Sequence, residues 1–330
     1  RTDLEIREKT HKYFLGVKGV VFPYKNILIP NAIIWEMFRI LKEYSSEYKL
    51  ILHFHSIFNI YFNLFIPLLI PAARVIVSHH GGVPPDTNKL EDKVKKILYK
   101  ISFKNLKAVT YLSNRTKNFI NYNSQSIDSY FLPVGADFDF FTPIDKKVAR
   151  KKFRLDPEKV YAIYVGNFYK LKSVDLILEI YRKLRNKYNF SVIFVGGKDN
   201  SINDMYHQVV NSGCPYYGNQ PWEKLKYLYG AADFYIHPAL NPQFGGIDVA
   251  WMEALACNVP VMSSTLSILD FDYKDIGILL KSKNEIYKKT EFMINNFTKF
   301  KNCREIAKRY LDGKSSIIEK LYKIYMKALK

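Results

Sequence analysis

The chain has 330 residues, enough for two domains that each bury their own core. Hydrophobic residues make up 48% and charged residues 25%, a balance that excludes a disordered protein. The 50 lysines and arginines outnumber the 31 acidic residues, and the formal charge of +19 favours anionic partners such as nucleotide phosphates, phospholipid headgroups or nucleic acid.

Cysteine usage and hydropathy suggest where the protein works. Cys214, Cys257 and Cys303 are widely spaced without a CxxC pair, so neither a disulfide framework nor a cysteine metal site is expected. The apolar run 57–77 is interrupted by asparagine, proline and arginine, which favours a buried helix followed by a strand over a membrane span. No signal peptide is visible. We therefore expect a cytoplasmic protein, with contact at the cytoplasmic membrane surface left open.

The first half alternates short apolar runs with helical patterns, which is typical of a parallel sheet covered on both faces. Strands are predicted at 49–54, 74–78, 108–112 and 129–134, and helices near 33–45, 57–69, 89–104 and 114–122.

A charged stretch, Asp145 to Lys159, then interrupts the pattern and is the best candidate linker. The alternation resumes with strands predicted at 161–165, 191–195, 234–237 and 260–263, and helices at 174–187, 204–211, 222–231 and 248–256. From Asn284 the tail is helical and basic.

This pattern predicts an α/β protein with two doubly wound Rossmann-like domains facing each other across a cleft. We place an acceptor-side domain at 1–145 and a donor-binding domain at 146–314, with a helix at 315–330 as a candidate to complete the first. Ligands of such sheets bind beyond the carboxyl ends of the strands.

The segment 244–260, FGGIDVAWMEALACNVP, carries the strongest functional signal. A strand leads into Gly245 and Gly246, and a helix bearing Glu253 follows. Free N–H groups at a helix start, beside glycines that let a ligand come close, favour an anion site. Glu253, about two turns into the helix, could accept paired sugar hydroxyls. Together these features suit a nucleoside diphosphate attached to a sugar.

Five segments in collinear order resemble the retaining nucleotide-sugar glycosyltransferases of the GT-B architecture, especially glycosyltransferase family 4, also called glycosyl transferases group 1. They are PVGAD at 133–137, YVGNF with KSVD at 164–175, FVGG at 194–197, GN with WEKL at 218–225, and EALA with PV at 253–261. The strand ends LHFH at 52–55 and VSHHGG at 77–82 match more loosely. The family's first strand, glycine loop and helix are not recognisable within Thr2 to Arg39, so Arg1 is expected to fall inside the first domain.

The resemblance implies a donor site in the second half. The amides of Gly245, Gly246 and Ile247 together with Lys172 would neutralise the leaving diphosphate, and Glu253 would hold the ribose. The other donor-site candidates are Gly166, Asn167, Lys170, Gly196, Gly218 and Asn219, with the last two bordering the base. The resemblance also implies no metal cofactor.

Two departures from the family pattern bear on catalysis. Asn167 stands where the family places an arginine, so the full charge is lost unless Lys170 replaces it. The family's first glutamate would fall at Gly245, which leaves Asp248 or Gln243 to approach the transferred sugar.

His80 is the catalytic candidate of the first half, because it follows a buried strand and precedes a glycine pair. The resemblance implies a hydrogen bond to the transferred sugar. Alternation along a strand points His79 the opposite way, so one of the two is expected to pack inside. His53 and His55 share one face of a strand, and packing beside the cleft explains them at least as well as a functional role. His237, in an apolar strand, is interpreted as a core histidine.

Two DxD triplets, 137–139 and 270–272, could suggest a metal, and we interpret both as unrelated to catalysis. The stretch 90–106 is amphipathic and rich in lysine. It is either a packed helix with a wet charged face or a peripheral contact with an anionic membrane, which a lipid-linked acceptor would make useful.

The sequence supports three hypotheses about the function of this protein. The first is sugar transfer from a UDP- or GDP-linked donor to an alcohol acceptor, such as a glycan or a lipid-linked acceptor. The second is a catalytically weak nucleotide-sugar-binding partner subunit. The third, a nucleic-acid-binding protein, is disfavoured because the sequence has no zinc-finger pattern and no clustered basic helix.

Overall fold

The computed structural model describes Arg39 and residues 41–55, 73–80, 90–169, 172–197, 204–240 and 247–330. The chain divides into two compact units, Arg1–Tyr48 and Lys49–Lys330. In the first unit, residues 41–47 are helical. Most of the helix predicted near 33–45, the helix predicted near 57–69 and the unit sought within Thr2 to Arg39 lie outside the described residues.

The second unit contains two parallel sheets, as the sequence predicts. The first (sheet 1) has four strands in chain order: β1 Ile51–His55, β2 Arg74–His79, β3 Ala108–Tyr111 and β4 Asp128–Phe131. The second (sheet 2) has five strands in the order β6-β5-β7-β8-β9. Their bounds are β5 Val160–Gly166, β6 Phe190–Gly196, β7 Phe234–His237, β8 Val261–Ser263 and β9 Gly277–Leu279.

Ten helices of this unit are described. They are α1 Leu90–Lys104, α2 Asn114–Asn123, α3 Lys146–Lys152, α4 Val174–Leu184, α5 Asp204–Val210, α6 Trp222–Ala231, α7 Val249–Ala256, α8 Lys283–Asn296, α9 Cys303–Leu311 and α10 Ser316–Ala328. Local sequence sets several of their starts. Ser113 caps α2 by accepting the N–H of Thr116 at 3.1 Å, and Ser282 with Glu285 forms a capping box at α8.

Two apolar clusters pack around sheet 2. One contains α7, whose residues Trp251 to Ala256 are all buried, and the other contains the buried face of α4. The continuous apolar strands of sheet 2 match this arrangement, since a strand buried on both faces has no polar side. The result is the GT-B arrangement of two Rossmann-like domains that the sequence predicts.

The C-terminal helix α10 packs against sheet 1. Its residues Ile317, Ile324 and Ala328 form one cluster with Ile76, Ala108 and Leu132. The domain limits at 145/146 and 314/315 stay a prediction.

The prediction of a linker at 145–159 is wrong in its first half, where α3 forms with Asp145 as its cap. Arg150 is 5% exposed and its Nη2 donates to Asp233 Oδ2 at 2.7 Å. Asp233 Oδ2 also accepts the N–H of Tyr161 at 2.8 Å. The charges that suggest a solvated connector therefore include one half of a buried ion pair.

Among the described residues, each helix is too short or too polar to cross a lipid bilayer.

Candidate functional site

The order of strands in sheet 2 creates a crevice between β5 and β7. From β5 the chain proceeds to β6 on one side, and after β6 it crosses to β7 on the other side of β5, so the strand order reverses between β5 and β7. These strands pair only at Ala162 with Phe234 and Ile163 with Tyr235, whereas β5 continues alongside β6 to Gly166. A ligand of a doubly wound sheet binds at such a point, beyond the carboxyl ends of the strands.

Glycines allow close backbone approach at this edge. Gly166 has φ +146, and an added Cβ would lie 3.3 Å from Lys172 Nζ. Gly196 has φ +107, and an added Cβ would lie 2.5 Å from the carbonyl oxygen of Gly166. Because both backbones are in regions that favour glycine and both are crowded, a side chain at either position would disturb the crevice.

Lys172 and Asp248 form an ion pair at the crevice. Lys172 lies one residue before the N-cap position of α4, and Asp248 occupies the N-cap position of α7 without a capping side-chain hydrogen bond. The distance from Lys172 Nζ to Asp248 Oδ2 is 2.7 Å, and their side chains are 16% and 22% exposed. Sequence analysis selects both residues for the site, and the structure brings them together.

His237 is a further member of this group. It ends β7, is fully buried, and its Nε2 lies 3.0 Å from Asp248 Oδ2. Burial alone would raise the pKa of Asp248, but the hydrogen bonds and electrostatic interactions with His237 and Lys172 outweigh it and lower the pKa to about 2. Asp248 is therefore a carboxylate throughout the neutral range.

Sequence reasoning treats His237 as a packing residue and misses this contact. The available signal is its position, because His237 is the last residue of a strand whose carboxyl end faces the predicted ligand edge.

Glu253 lies just over one turn into α7, rather than the two turns expected, since it is only four residues after the first helical residue, Val249. Its side chain turns toward the core, is 8% exposed, and its Oε2 accepts a 2.8 Å hydrogen bond from Tyr229 Oη. Burial raises the pKa of Glu253 and the hydrogen bond from Tyr229 only partly offsets this. The carboxylate is thus held on the inner side of the helix.

The remaining donor-site candidates divide into two groups. Lys170, Gly245 and Gly246, together with Gln243, lie outside the described residues. Asn167 and Asn219 are exposed, and Ile247 is half-buried. The carbonyl oxygen of Gly218 accepts the N–H of Gly196 at 2.7 Å, which places the segment between α5 and α6 beside the end of β6.

The histidines of sheet 1 gather at its own carboxyl edge. His80 is exposed and its Nε2 lies 2.7 Å from His55 Nδ1, whereas His79 is 2% exposed. His53 bridges Tyr325 Oη and Ser78 Oγ, each at 2.7 Å. Burial, reinforced by His55, lowers the pKa of His80. Burial lowers the pKa of His53 to about 4, again with a contribution from neighbouring histidines.

Aspartates of the two DxD triplets, 137–139 and 270–272, form ion pairs with lysines of the same chain. Asp137 Oδ2 lies 3.0 Å from Lys314 Nζ, and its Oδ1 accepts the N–H groups of Asp139 and Phe140. Asp270 pairs with Lys320. Over the described parts of the chain, no three His, Cys, Asp or Glu residues gather in a way that could hold a metal ion.

Comparison with known proteins agrees with this geometry. An uncharacterized glycosyltransferase of Methanocaldococcus jannaschii is 26% identical over 344 aligned residues, covering 96% of this chain and 85% of the relative. D-inositol 3-phosphate glycosyltransferase of Mycobacterium sp. is 30% identical over 149 residues, or 43% of this chain. The chain spans only 33% of that second relative.

Solved structures share the fold. A glycosyltransferase of Rickettsia africae superposes with TM-score 0.73 at 17% identity, covering 93% of this chain and 83% of that one. Anabaena HepE in complex with UDP gives 0.67 at 10% identity, covering 87% and 81%. Sucrose-phosphate synthase of Thermosynechococcus elongatus gives 0.67 at 17% identity, covering 89% and 78%.

Two Rossmann-like domains with a polar crevice at the strand-order reversal form the GT-B fold. Residues 145–307 match the family described as glycosyl transferases group 1.

Proposed function

We propose that this protein transfers a sugar from a nucleoside diphosphate donor to an alcohol acceptor with retention of configuration at the anomeric carbon. UDP- and GDP-sugars are the donors to test first. The bond between the anomeric carbon and the diphosphate oxygen breaks, the acceptor oxygen bonds to the same face of the sugar, and the acceptor proton passes to the departing diphosphate. The diphosphate departs with increased negative charge, which fixed dipoles and cations stabilise.

The single observation that carries this proposal is the Lys172–Asp248 pair beside Gly166 at the strand-order reversal of sheet 2. Because Asp248 fixes its position, the Lys172 ammonium group is preorganised to bind a diphosphate. Asp248 fixes the ammonium group and lies in reach of the sugar that the diphosphate carries. The close backbone approach at Gly166 leaves room for the phosphates.

The other roles follow from the sequence resemblance. Glu253 accepts hydrogen bonds from the ribose, once Tyr229 or the helix start shifts enough to admit it. The amides of 245–247 add dipoles to the phosphate site, and the turn at Gly218 borders the base. His80 donates a hydrogen bond to the transferred sugar. HepE structures with UDP and with UDP-glucose share this fold, which supports a nucleotide-sugar donor.

The acceptor is a glycan or a lipid-linked alcohol, and no metal takes part in the transfer. Closure of the two domains around the donor would exclude water and limit hydrolysis. Activity should therefore persist in EDTA, and loss of activity that magnesium restores would contradict the metal-free proposal.

A thermal-shift screen against UDP-, GDP- and ADP-sugars tests donor binding first. A rise in melting temperature with one nucleotide class, abolished by Lys172→Ala and kept by Lys183→Ala, supports the proposal. Lys183 is a suitable control because it lies on the exposed face of nearby α4, paired with Glu179 at 2.7 Å. Stabilisation that survives Lys172→Ala would place the diphosphate elsewhere.

A second candidate function is nucleotide-sugar binding without efficient turnover, in a partner subunit. The observation that favours it is the engagement of Lys172 by Asp248, combined with Asn167 in place of an arginine. Measured donor hydrolysis and transfer separate the two. Donor binding with neither reaction, in the presence of varied acceptors, supports the binding protein, whereas turnover that Glu253→Ala weakens supports the transferase.

A further inference from the structure

Helix α1 carries an apolar stripe on its solvent side. Val94, Ile97 and Ile101 are 48%, 59% and 46% exposed. Their spacing of three and four residues places them on one face of the helix. Sequence analysis leaves open whether this helix only has a solvated charged face. In the structure, Lys100 and Lys104 are exposed together with these apolar residues.

The stripe is not needed to hold α1 in the fold. The opposite side of the helix is buried through Tyr99, Ser102 and Phe103, which are 3%, 1% and 1% exposed. Tyr99 and Phe103 both meet the Phe119 ring of α2 edge to face. Packing in the core therefore accounts for the apolar residues on the inner side of α1 only. It does not account for the three exposed branched aliphatic residues on the outer side.

The neighbouring helix extends the surface. Tyr122, near the end of α2, is 70% exposed, and Lys100 Nζ lies 5.4 Å from the centre of its ring. An exposed tyrosine beside aliphatic residues and lysines is typical of a surface that lies at the boundary between headgroups and acyl chains. We call the surface formed by Val94, Ile97, Ile101 and Tyr122 the α1 face.

The positive charge of α1 indicates which kind of partner binds the α1 face. Its sequence has five lysines against two acidic residues, and the whole chain has a formal charge of +19. A second copy docked through the same face would bring two basic helices together, which opposes self-association. Anionic lipid complements both the lysines and the apolar stripe.

A second stripe gives a useful contrast. On α10, Ile318, Tyr322 and Met326 are 57%, 61% and 44% exposed. The three lysines of that helix that face solvent are already paired with acids, Lys320 with Asp270, Lys323 with Glu319 and Lys327 with Asp128. The α10 stripe is therefore apolar without a comparable excess of positive charge, and makes a matched control.

We propose that the α1 face docks the protein on anionic phospholipid bilayers, with Val94, Ile97 and Ile101 entering the headgroup boundary and the lysines meeting lipid phosphates. The proposal is independent of sugar transfer, since membrane binding is measured without donor or acceptor. It places the acceptor-side domain against the lipid surface.

Co-sedimentation of the full chain with vesicles tests the proposal. We expect binding to phosphatidylcholine vesicles that contain phosphatidylglycerol, and at least about tenfold weaker partition onto phosphatidylcholine alone or in high salt. The double variant Ile97→Glu/Ile101→Glu should lower partition at least about tenfold, because apolar contact and charge complementarity are both removed. The control Ile318→Glu/Tyr322→Glu should partition like the parent.

Other outcomes overturn the proposal. These are no binding to either vesicle, equal binding to both, or loss of binding in the α10 variant alone. A lower melting temperature of the α1 variant with unchanged vesicle binding would show that the stripe packs against another part of the chain. The remaining alternative is that the α1 face binds a second copy of the chain, and light scattering tests it. A parent protein that is dimeric and does not bind vesicles, together with an α1 variant that is monomeric, would assign the face to self-association.

Discussion

The two sheets are both parallel, but their carboxyl edges differ in charge. At sheet 2, Lys172 and Asp248 are ion-paired at 2.7 Å, with buried His237 behind them. At sheet 1, histidines bond to hydroxyls and to each other. Burial lowers the pKa values of His53 and His80, so both rings are neutral at pH 7.

This difference shows that topology decides where polar side chains gather and that their partners decide what they can bind. The edge of sheet 2 keeps fixed charges, which suit an anionic group. The edge of sheet 1 offers neutral donors and acceptors, which suit hydroxyl groups. Four substitutions test this contrast between a charged and a neutral edge.

Removing the charge of Lys172 should have the largest effect. We expect Lys172→Ala to lower the rate of sugar transfer by about 10²–10³-fold, the usual cost of losing one group that stabilises a leaving anion. Steady-state transfer measured beside Lys183→Ala checks this. Thermal unfolding of both variants is needed, because Asp248 loses a partner. Transfer within a factor of about two of the parent, in a folded Lys172→Ala variant, would remove the charged edge from the reaction.

Asp248→Asn tests the same edge through stability. The pKa of Asp248 is lowered from 3.8 to about 2, so its carboxylate stabilises the fold above the unfolded pKa and this contribution is lost as the pH falls through 2. The shift corresponds to about 2 kcal/mol in the free energy of unfolding at neutral pH. Urea unfolding of parent and variant should differ by this amount at pH 7 and converge between about pH 4 and pH 2.

A matched carboxylate shows whether the effect is specific. Asp272 is exposed, and its Oδ2 lies 3.6 Å from Lys274 Nζ. Asp272→Asn should leave the free energy of unfolding unchanged, because exposed ion pairs contribute little. An equal loss in both variants would mean that net charge, and not the Lys172–Asp248–His237 contacts, sets the stability.

Glu253→Gln separates a ligand role from a folding role. Burial raises the pKa of Glu253, so the charged form opposes folding at pH values above it, and this cost disappears as the pH falls below the unfolded pKa. The variant should therefore be at least as stable as the parent at pH 7, with the advantage fading in acid. If Glu253 holds the ribose, the donor KM should rise about tenfold.

Tyr229→Phe is the control for Glu253, because it removes the 2.8 Å hydrogen bond without removing the carboxylate. We expect it to lower stability and to change the donor KM less than Glu253→Gln does. A larger KM effect in Tyr229→Phe would indicate that the carboxylate acts only as a packing partner.

Sequence periodicity is sufficient to predict the two parallel sheets, because continuous apolar strands alternate with helices along nearly the whole chain. Periodicity does not predict ion pairs between residues that are far apart in the sequence. Arg150 and Asp233 are 83 residues apart in the sequence. Without knowledge of their ion pair, the charges of 146–152 indicate a solvated linker. Strand β9 has only three residues and no distinctive pattern, and the sequence does not predict it.

The candidate site shows the same limit. Lys172 and Asp248 are each recognisable from the resemblance, yet 76 residues separate them and their ion pair depends on how β5 and β7 meet. Glu253 matches a motif by position, whereas its inward orientation toward Tyr229 follows from packing. Local sequence identifies residue types and strand ends, and tertiary contacts determine charge and access.

The smallest expected effect concerns the neutral edge. His53 has a pKa of about 4, lowered mainly by burial and further by His55 and His80. A folded pKa below the ordinary 6.5 means that the neutral ring stabilises the fold above 6.5, and that this is lost as the pH falls through about 4. His53→Gln should therefore unfold with a weaker pH dependence across this range.

Part of that dependence should remain in His53→Gln, because the pKa of His79 is also lowered, to about 4, and that of His80 is lowered too. Tyr325→Phe removes the 2.7 Å contact with His53 Nδ1 but keeps the titrating ring, so it should lower stability to a similar extent at every pH. Urea unfolding between about pH 7 and pH 4 distinguishes these profiles. If His53→Gln and the parent lose stability in parallel on acidification, folding does not lower the pKa of His53, and the contrast between a charged and a neutral edge loses its support at this residue.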